Sequence, residues 1–230
     1  MRELFVKITR KLGLYQQFVN IDTYLRERKI QKAFKKYGIE TLVEADKAFK
    51  SFNAEMFPTF GTLLGAYREH GFIAHDFDLD VGVLGAQRPD DIAEKMAKFG
   101  FKLTRQFYVK ETGRVTEEQF EYKGVQIDVF YYFEMEPDKL YCYVARRHET
   151  KDWREANQSD GFPCVLWPCD KCTMEEVDFL GHPIKMPTLR KNWLSDIYGE
   201  DFMTPIKNWT AGTRKTVMIK HTERLYRKQW

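Results

Sequence analysis

No stretch of this 230-residue chain approaches the roughly 18 consecutive apolar residues that a membrane span requires. Its opening, MRELFVKITRKLGLY, lacks the continuous apolar run of a secretory signal. A spanning helix and a leader are therefore not expected, and the cytoplasm is the expected compartment. Cysteine is scarce, and in that compartment the four thiols are expected to be reduced or metal-bound. There is no internal repeat, low-complexity tract or marked linker, so one principal domain with a small appendage is expected. Basic residues occur without any recognised RNA- or DNA-binding motif, and no nucleic acid partner is expected.

What is present has the balance of a soluble globular protein: 43% hydrophobic and 31% charged residues. The aromatic share of 15% is high enough to furnish stacking surfaces in a ligand cleft as well as a core. The net charge of +3 hides two basic ends. Arg26, Arg28, Lys29, Lys32, Lys35 and Lys36 mark the first, and Arg214, Lys215, Lys220, Arg224, Arg227 and Lys228 the second. Such ends are either solvated helix faces or a peripheral contact with an anionic membrane or another phosphate-rich partner.

Periodicity predicts an amphipathic helix at the start through Leu4, Phe5, Ile8, Leu12 and Tyr15, then helices over 23–37, stopped by Gly38, and over 41–56. Further helices are predicted over 61–70, with Gly71 as the stop, and over 89–99. Strands are predicted over 101–109, 115–122 and 125–133. A charged, irregular region follows over 145–172, then a hairpin over 176–186, and helices over 188–198 and 213–228. The order predicts an α+β fold: a mixed sheet flanked by helices, with extra N- and C-terminal helices. We divide it into a basic helical extension, residues 1–40, and a catalytic domain, residues 41–230.

The densest information lies in GTLLGAYREHGFIAHDFDLDVGV, residues 61–83. Asp76, Asp78 and Asp80 alternate, and the last two enter a run of small and β-branched residues that reads as a buried strand. Positions i and i+2 of a strand share a face, so Asp78 and Asp80 stand side by side. Like charges held so close call for a counter-charge, and Mg²⁺ (or Mn²⁺) favours carboxylate oxygens together with substrate phosphates. Asp128 in VQIDVFYYF is another carboxylate in a strand that reads as buried. Alone it would be a satisfied structural aspartate; beside the Asp78/Asp80 pair it completes an oxygen-ligand site for one or two Mg²⁺ ions. Gly61 and Thr62 open the preceding helix, where backbone N–H groups favour an anion, and Arg68 lies two turns on with a forked donor set. Arg68 is alternatively a surface ion-pair partner. His75 beside the acidic run is either a proton carrier, a substrate contact or a loop packing residue.

These residues resemble the signature of the LicD/fukutin family, which has the nucleotidyltransferase-like (polymerase-β-type) superfold. The likeness runs from Gly61 to about Pro205: a GTLLGA-R helix, a GFI loop, an Asp-x-Asp run, the QIDVF strand around Asp128, and the closing LSDIYGEDFMTP with Tyr198, Gly199 and Pro205. The chain departs from the family where Ala74-His75 replaces a common Pro-Trp and Phe77 replaces a polar or acidic residue. Those positions bear on the substrate pocket more than on metal binding. The resemblance implies transfer of a phospho-alcohol (phosphocholine, glycerol phosphate or ribitol phosphate) from a CDP-linked donor to a hydroxyl of a cell-surface glycan, with release of CMP. It implies that Asp78, Asp80 and Asp128 are catalytic and hold Mg²⁺. Gly61, Thr62 and Arg68 would position the donor diphosphate, His75 and Asp76 would contact substrate, and Asp76 could alternatively be a metal ligand or a partner of one. The acceptor could be lipid-linked, which would place the protein at the inner face of a membrane. Alternatives are transfer of a nucleoside monophosphate from a nucleoside triphosphate, and a non-catalytic glycan-binding module on the same fold. A separate candidate is a structural Zn²⁺ site at Cys164, Cys169 and Cys172, with Cys142, His148 or His182 as a fourth ligand; the same residues also suit a plain aromatic-proline loop with free thiols.

Overall fold

A computed structural model describes residues 15–135, 137–146, 152–206 and 218–230, with the side chains of 15–20 and 22 left aside. The first predicted helix and His148 lie outside these residues.

A single helix, α1 (Tyr15–Ser51), replaces the two expected on either side of Gly38 and runs across the boundary drawn at residue 40. Gly38 is an approach point, not a stop. A Cβ there would lie 3.3 Å from the Phe72 ring and 3.6 Å from that of Phe34, so glycine lets the acidic loop pack against the helix. From Phe34 onward α1 buries Leu42, Ala45, Ala48 and Phe49 in the core. Residues 23–29 are exposed, so its earlier turns project from the body. Among the described residues no helix is long and apolar enough to cross a membrane.

β1 (Met56–Pro58) leads into α2 (Phe60–Arg68), then β2 (Asp78–Leu84), a 3₁₀ turn at Gly85–Gln87 and the short α3 (Ile92–Ala97). β3 (Lys102–Val109), β4 (Val115–Tyr122) and β5 (Val125–Met135) are the strands expected from alternation, extended slightly for β5. The region expected to be irregular is instead β6 (Lys139–Ala145), α4 (Trp153–Ser159) and β7 (Phe162–Asp170). Pro163 and Pro168 argue locally against a strand. Pro163 is tolerated because it sits beside the register shift between His221 and Arg224 on the neighbouring strand. β8 (Met174–Phe179) and β9 (His182–Pro187) form the predicted hairpin, followed by α5 (Arg190–Tyr198). The expected C-terminal helix is a correction: residues 219–229 form β10 (Ile219–Gln229), paired to β3 on one edge and β7 on the other. Two sheet edges offering hydrogen bonds outweigh the local preference of a charged segment.

The result is an α+β architecture with one large mixed sheet, in the order β1-β2-β5-β4-β3-β10-β7-β6. β5 pairs with β4 through its first half and with β6 through Tyr132–Met135. The strands β5-β4-β3-β10-β7-β6 therefore close into a ring, and β2 adds in parallel to the other edge of β5. Leu79, Val81 and Val83 point from β2 into the main core. The opposite face of β2 carries the acids.

Candidate active site

The site is built where β2 and β5 run side by side. Asp80 lies directly opposite Asp128, and Asp78 opposite Gln126, in an unbroken parallel register. Adjacent strands are about 4.8 Å apart, so the two carboxylates that sequence separation kept apart become neighbours.

The turn before α2 clamps Asp80 from three directions. The Thr59 N–H donates to its carbonyl at 3.0 Å. Its own N–H donates to Thr62 Oγ1 at 2.8 Å, and the Gly61 N–H donates to its Oδ2 at 3.0 Å. Gly61 is required sterically as well, since a Cβ would stand 3.1 Å from that same oxygen. Phe60 adopts a left-handed φ of 40°, and its ring packs on Phe130 and Trp167 at 4.7 and 5.2 Å. Thr59 is tied in turn to the Tyr132 hydroxyl at 2.6 Å. The Gly61 N–H and the Thr62 hydroxyl oxygen are thus both engaged with Asp80.

Burial pushes the Asp80 carboxyl well above the usual carboxylate range, and Asp78, Asp128 and Asp76 push it further; the Gly61 N–H opposes them. Burial raises Asp76 to about 6, against the pull of His75 and Arg68. Tyr198, from the closing helix α5, is buried, and burial, then Asp80 and Asp76, raise its hydroxyl well above its ordinary range. Arg68 sits at the edge of this cluster, with Nε on Glu69 at 2.8 Å and a terminal nitrogen on the Phe202 carbonyl at 3.2 Å. His75 and Phe77 are exposed at the mouth.

Asp128 is held differently. Its Oδ1 accepts from Gln119 at 2.7 Å and its Oδ2 from Arg105 at 2.9 Å. Arg105, Gln119, Thr59 and Tyr198 were not singled out as site residues from sequence. The Tyr-Gly of the closing helix was the signal for Tyr198; nothing local marks Arg105.

The residues fit a divalent cation in one particular sense. Among the described residues no three His, Cys, Asp or Glu side chains form a ready cage. Mg²⁺, however, is usually bound by one or two carboxylates plus substrate phosphates and water, and Asp80 stands in mutual repulsion with Asp78 and Asp76. Cys164 stands apart from the other thiols, whereas Cys142, Cys169 and Cys172 share the main apolar cluster. Cys164 and Cys169 lie five positions apart on β7, on opposite faces, in the smaller and the main apolar cluster respectively. The Cys164 thiol donates to the Glu223 carbonyl at 3.1 Å, and Cys172 lies beyond the strand end. The expected Cys164/Cys169/Cys172 zinc site is therefore not formed, because strand alternation sends its first two ligands apart. A cavity of about 490 Å³, lined by residues that include Phe57, Leu84, Tyr132 and Met174, touches none of the acids.

A family model described as LicD/FKTN/FKRP, nucleotidyltransferase domain, matches residues 53–188. Over 177 residues the chain is 27% identical to the ribitol-5-phosphate transferase FKTN of Mus musculus, covering 76% of this chain and 35% of that protein. Over 191 residues it is 24% identical to the Homo sapiens protein of the same name, covering 81% of this chain and 38% of that one. The chain spans between a third and two fifths of the length of these curated relatives. The matched segment contains all the acids of the site.

Proposed function

Because this chain belongs to the LicD/FKTN/FKRP nucleotidyltransferase-domain family, we propose that it transfers a phospho-alcohol from a CDP-linked donor to a glycan hydroxyl. The observation that carries this reading is Asp80, clamped by Thr59–Thr62 and facing Asp128 in parallel register, with Asp78 two positions before it on the same strand face. In the reaction, the acceptor oxygen bonds to the phosphorus bearing the alcohol. The bond from that phosphorus to the bridging oxygen breaks, CMP leaves with that oxygen, and the hydroxyl proton passes to solvent. Mg²⁺ on Asp78 and Asp80 would neutralise charge on the donor diphosphate. The chain's own part is to hold those carboxylates in place, to seat Asp128 opposite Asp80, and to set Arg68 at the edge of the acids.

Support for phospho-alcohol transfer over nucleotidyl transfer comes from the relatives, which are named as ribitol-5-phosphate transferases. The test is a panel of CDP-choline, CDP-ethanolamine, CDP-glycerol and CDP-ribitol with Mg²⁺ and candidate glycans. CMP release with one donor is expected. Pyrophosphate from a nucleoside triphosphate, with no CMP from the panel, would replace this reading with the nucleotidyl one.

The projecting turns of α1 support a lipid-linked acceptor and a membrane-surface site of action. Ile21, Tyr24 and Leu25 are exposed at helical spacing, among Arg26, Arg28, Lys29 and Lys32. Exposed apolar side chains among cations suit an anionic bilayer face. Each cation near such a surface contributes about 1 kcal/mol. The triple variant Lys29→Gln/Lys32→Gln/Lys36→Gln should therefore bind phosphatidylglycerol-containing vesicles roughly 100-fold more weakly in a sedimentation assay. Unchanged binding would remove the membrane from the proposal.

A further inference from the structure

The carboxylates of the site fall into two kinds. Asp80 is surrounded by Asp78, Asp128 and Asp76. Asp128 meets a cation of the chain's own. One terminal nitrogen of Arg105 lies 2.9 Å from Asp128 Oδ2 and 2.6 Å from Glu117 Oε1. All three residues are deeply buried, at 7%, 3% and 1% exposure. The backbone arranges this deliberately: a register shift between Leu103 and Arg105 sets Arg105 opposite Gln119, which is itself opposite Asp128. Bulges of this kind re-aim side chains next to active sites. Gln119 completes the row by donating to Asp128 while accepting from Thr104 Oγ1 at 3.1 Å.

A guanidinium shared by two carboxylates already supplies Asp128 and Glu117 with the positive charge that a second ion would bring to a two-metal site. It stays protonated at any working pH, so a divalent ion brought against it meets a fixed positive charge. We propose that this is a one-ion site: a single divalent cation on Asp78 and Asp80, with Arg105 as a resident second positive centre that positions Asp128 and Glu117. This rests on the metal reading above and decides between the one and two ions that sequence alone allowed.

The test is titration of the full chain with Mn²⁺, counting bound ions by the loss of the free-ion EPR signal. The wild-type protein is expected to saturate at one ion per chain, and Arg105→Lys likewise. Arg105→Met, with Asp128 and Glu117 relieved of their cation, is expected to take two. Two ions in the wild type, or one in a folded Arg105→Met, would overturn the proposal. If Arg105→Met does not fold by circular dichroism, Asp128→Asn decides. An unchanged count of one with affinity within about threefold upholds the proposal, because Asp128 is then not a ligand of that ion; a loss of about tenfold or more overturns it. A wild-type chain that binds no Mn²⁺ would instead remove the metal reading itself.

Discussion

Asp80→Asn is expected to lower turnover by about 10³-fold or more, on the scale of removing a principal electrostatic contact to the transferring phosphoryl group, while raising the thermal midpoint of the metal-free protein. The two effects have one cause. Asp80 is held by backbone and hydroxyl ties that do not depend on its charge, from Thr59 and Thr62, so asparagine can occupy the same place. Its charge, however, is opposed by burial and by Asp78, Asp128 and Asp76. A carboxyl whose folded pKa lies above its unfolded value opposes folding once ionised. Stability then falls as pH rises from the unfolded value towards the folded one. For Asp76 that window ends at about 6; for Asp80 it extends higher. The metal-free wild type should thus melt at a lower temperature at pH 7 than at pH 5 on account of these groups. Mg²⁺ should restore the loss in the wild type but much less in Asp80→Asn. Calorimetry with and without Mg²⁺, beside a CMP-release assay, checks both halves. Near-normal turnover in the variant would refute the assignment of Asp80.

Arg88→Met is expected to cost about 3–5 kcal/mol of stability, the range for removing one partner of a buried ion pair. Glu118 has no exposed side-chain surface and receives two hydrogen bonds from Arg88, at 2.8 and 3.0 Å. Gln106 donates to it at 2.7 Å and the Tyr131 hydroxyl at 2.5 Å. These two neutral donors remain in the variant but leave the charge uncompensated. The double variant Arg88→Met/Glu118→Gln should recover much of the loss, because no buried charge then lacks its partner. Urea midpoints for wild type, single and double variants measure this. A single variant within about 1 kcal/mol of wild type would refute this expectation.

How much of this was legible depends on the range of the interactions. The acid strand and the hairpin over β8 and β9 carry their pattern within a few residues, as alternation and turn chemistry, and so does α5. That Asp128 joins the Asp78/Asp80 pair was inferred from the cost of a buried carboxylate, but its register opposite Asp80 was not, since no local rule says which strand will lie beside β2. β7 and β10 were misread because proline and dense charge describe a segment in isolation, whereas both are decided by the edges they meet. Arg105 was invisible for a similar reason: its partner Asp128 lies two strands away, and only the register shift near Leu103 turns it towards the acids. Gly38 shows the converse. A residue that usually ends a helix was read by its backbone preference, when its lack of a side chain was what mattered.

The ring has a consequence for biosynthesis. β10 closes it by filling the gap between β3 and β7, with Leu225 set against both Val109 and Phe162. Translation delivers β10 after the other described strands of the sheet, so a nascent chain holds the edges of β3 and β7 unpaired while the acid-bearing half of the sheet can already assemble. Pairing so distant in sequence closes slowly, and bare strand edges recruit other chains meanwhile. Yield in a cell should therefore depend on how quickly residues 219–229 emerge and dock.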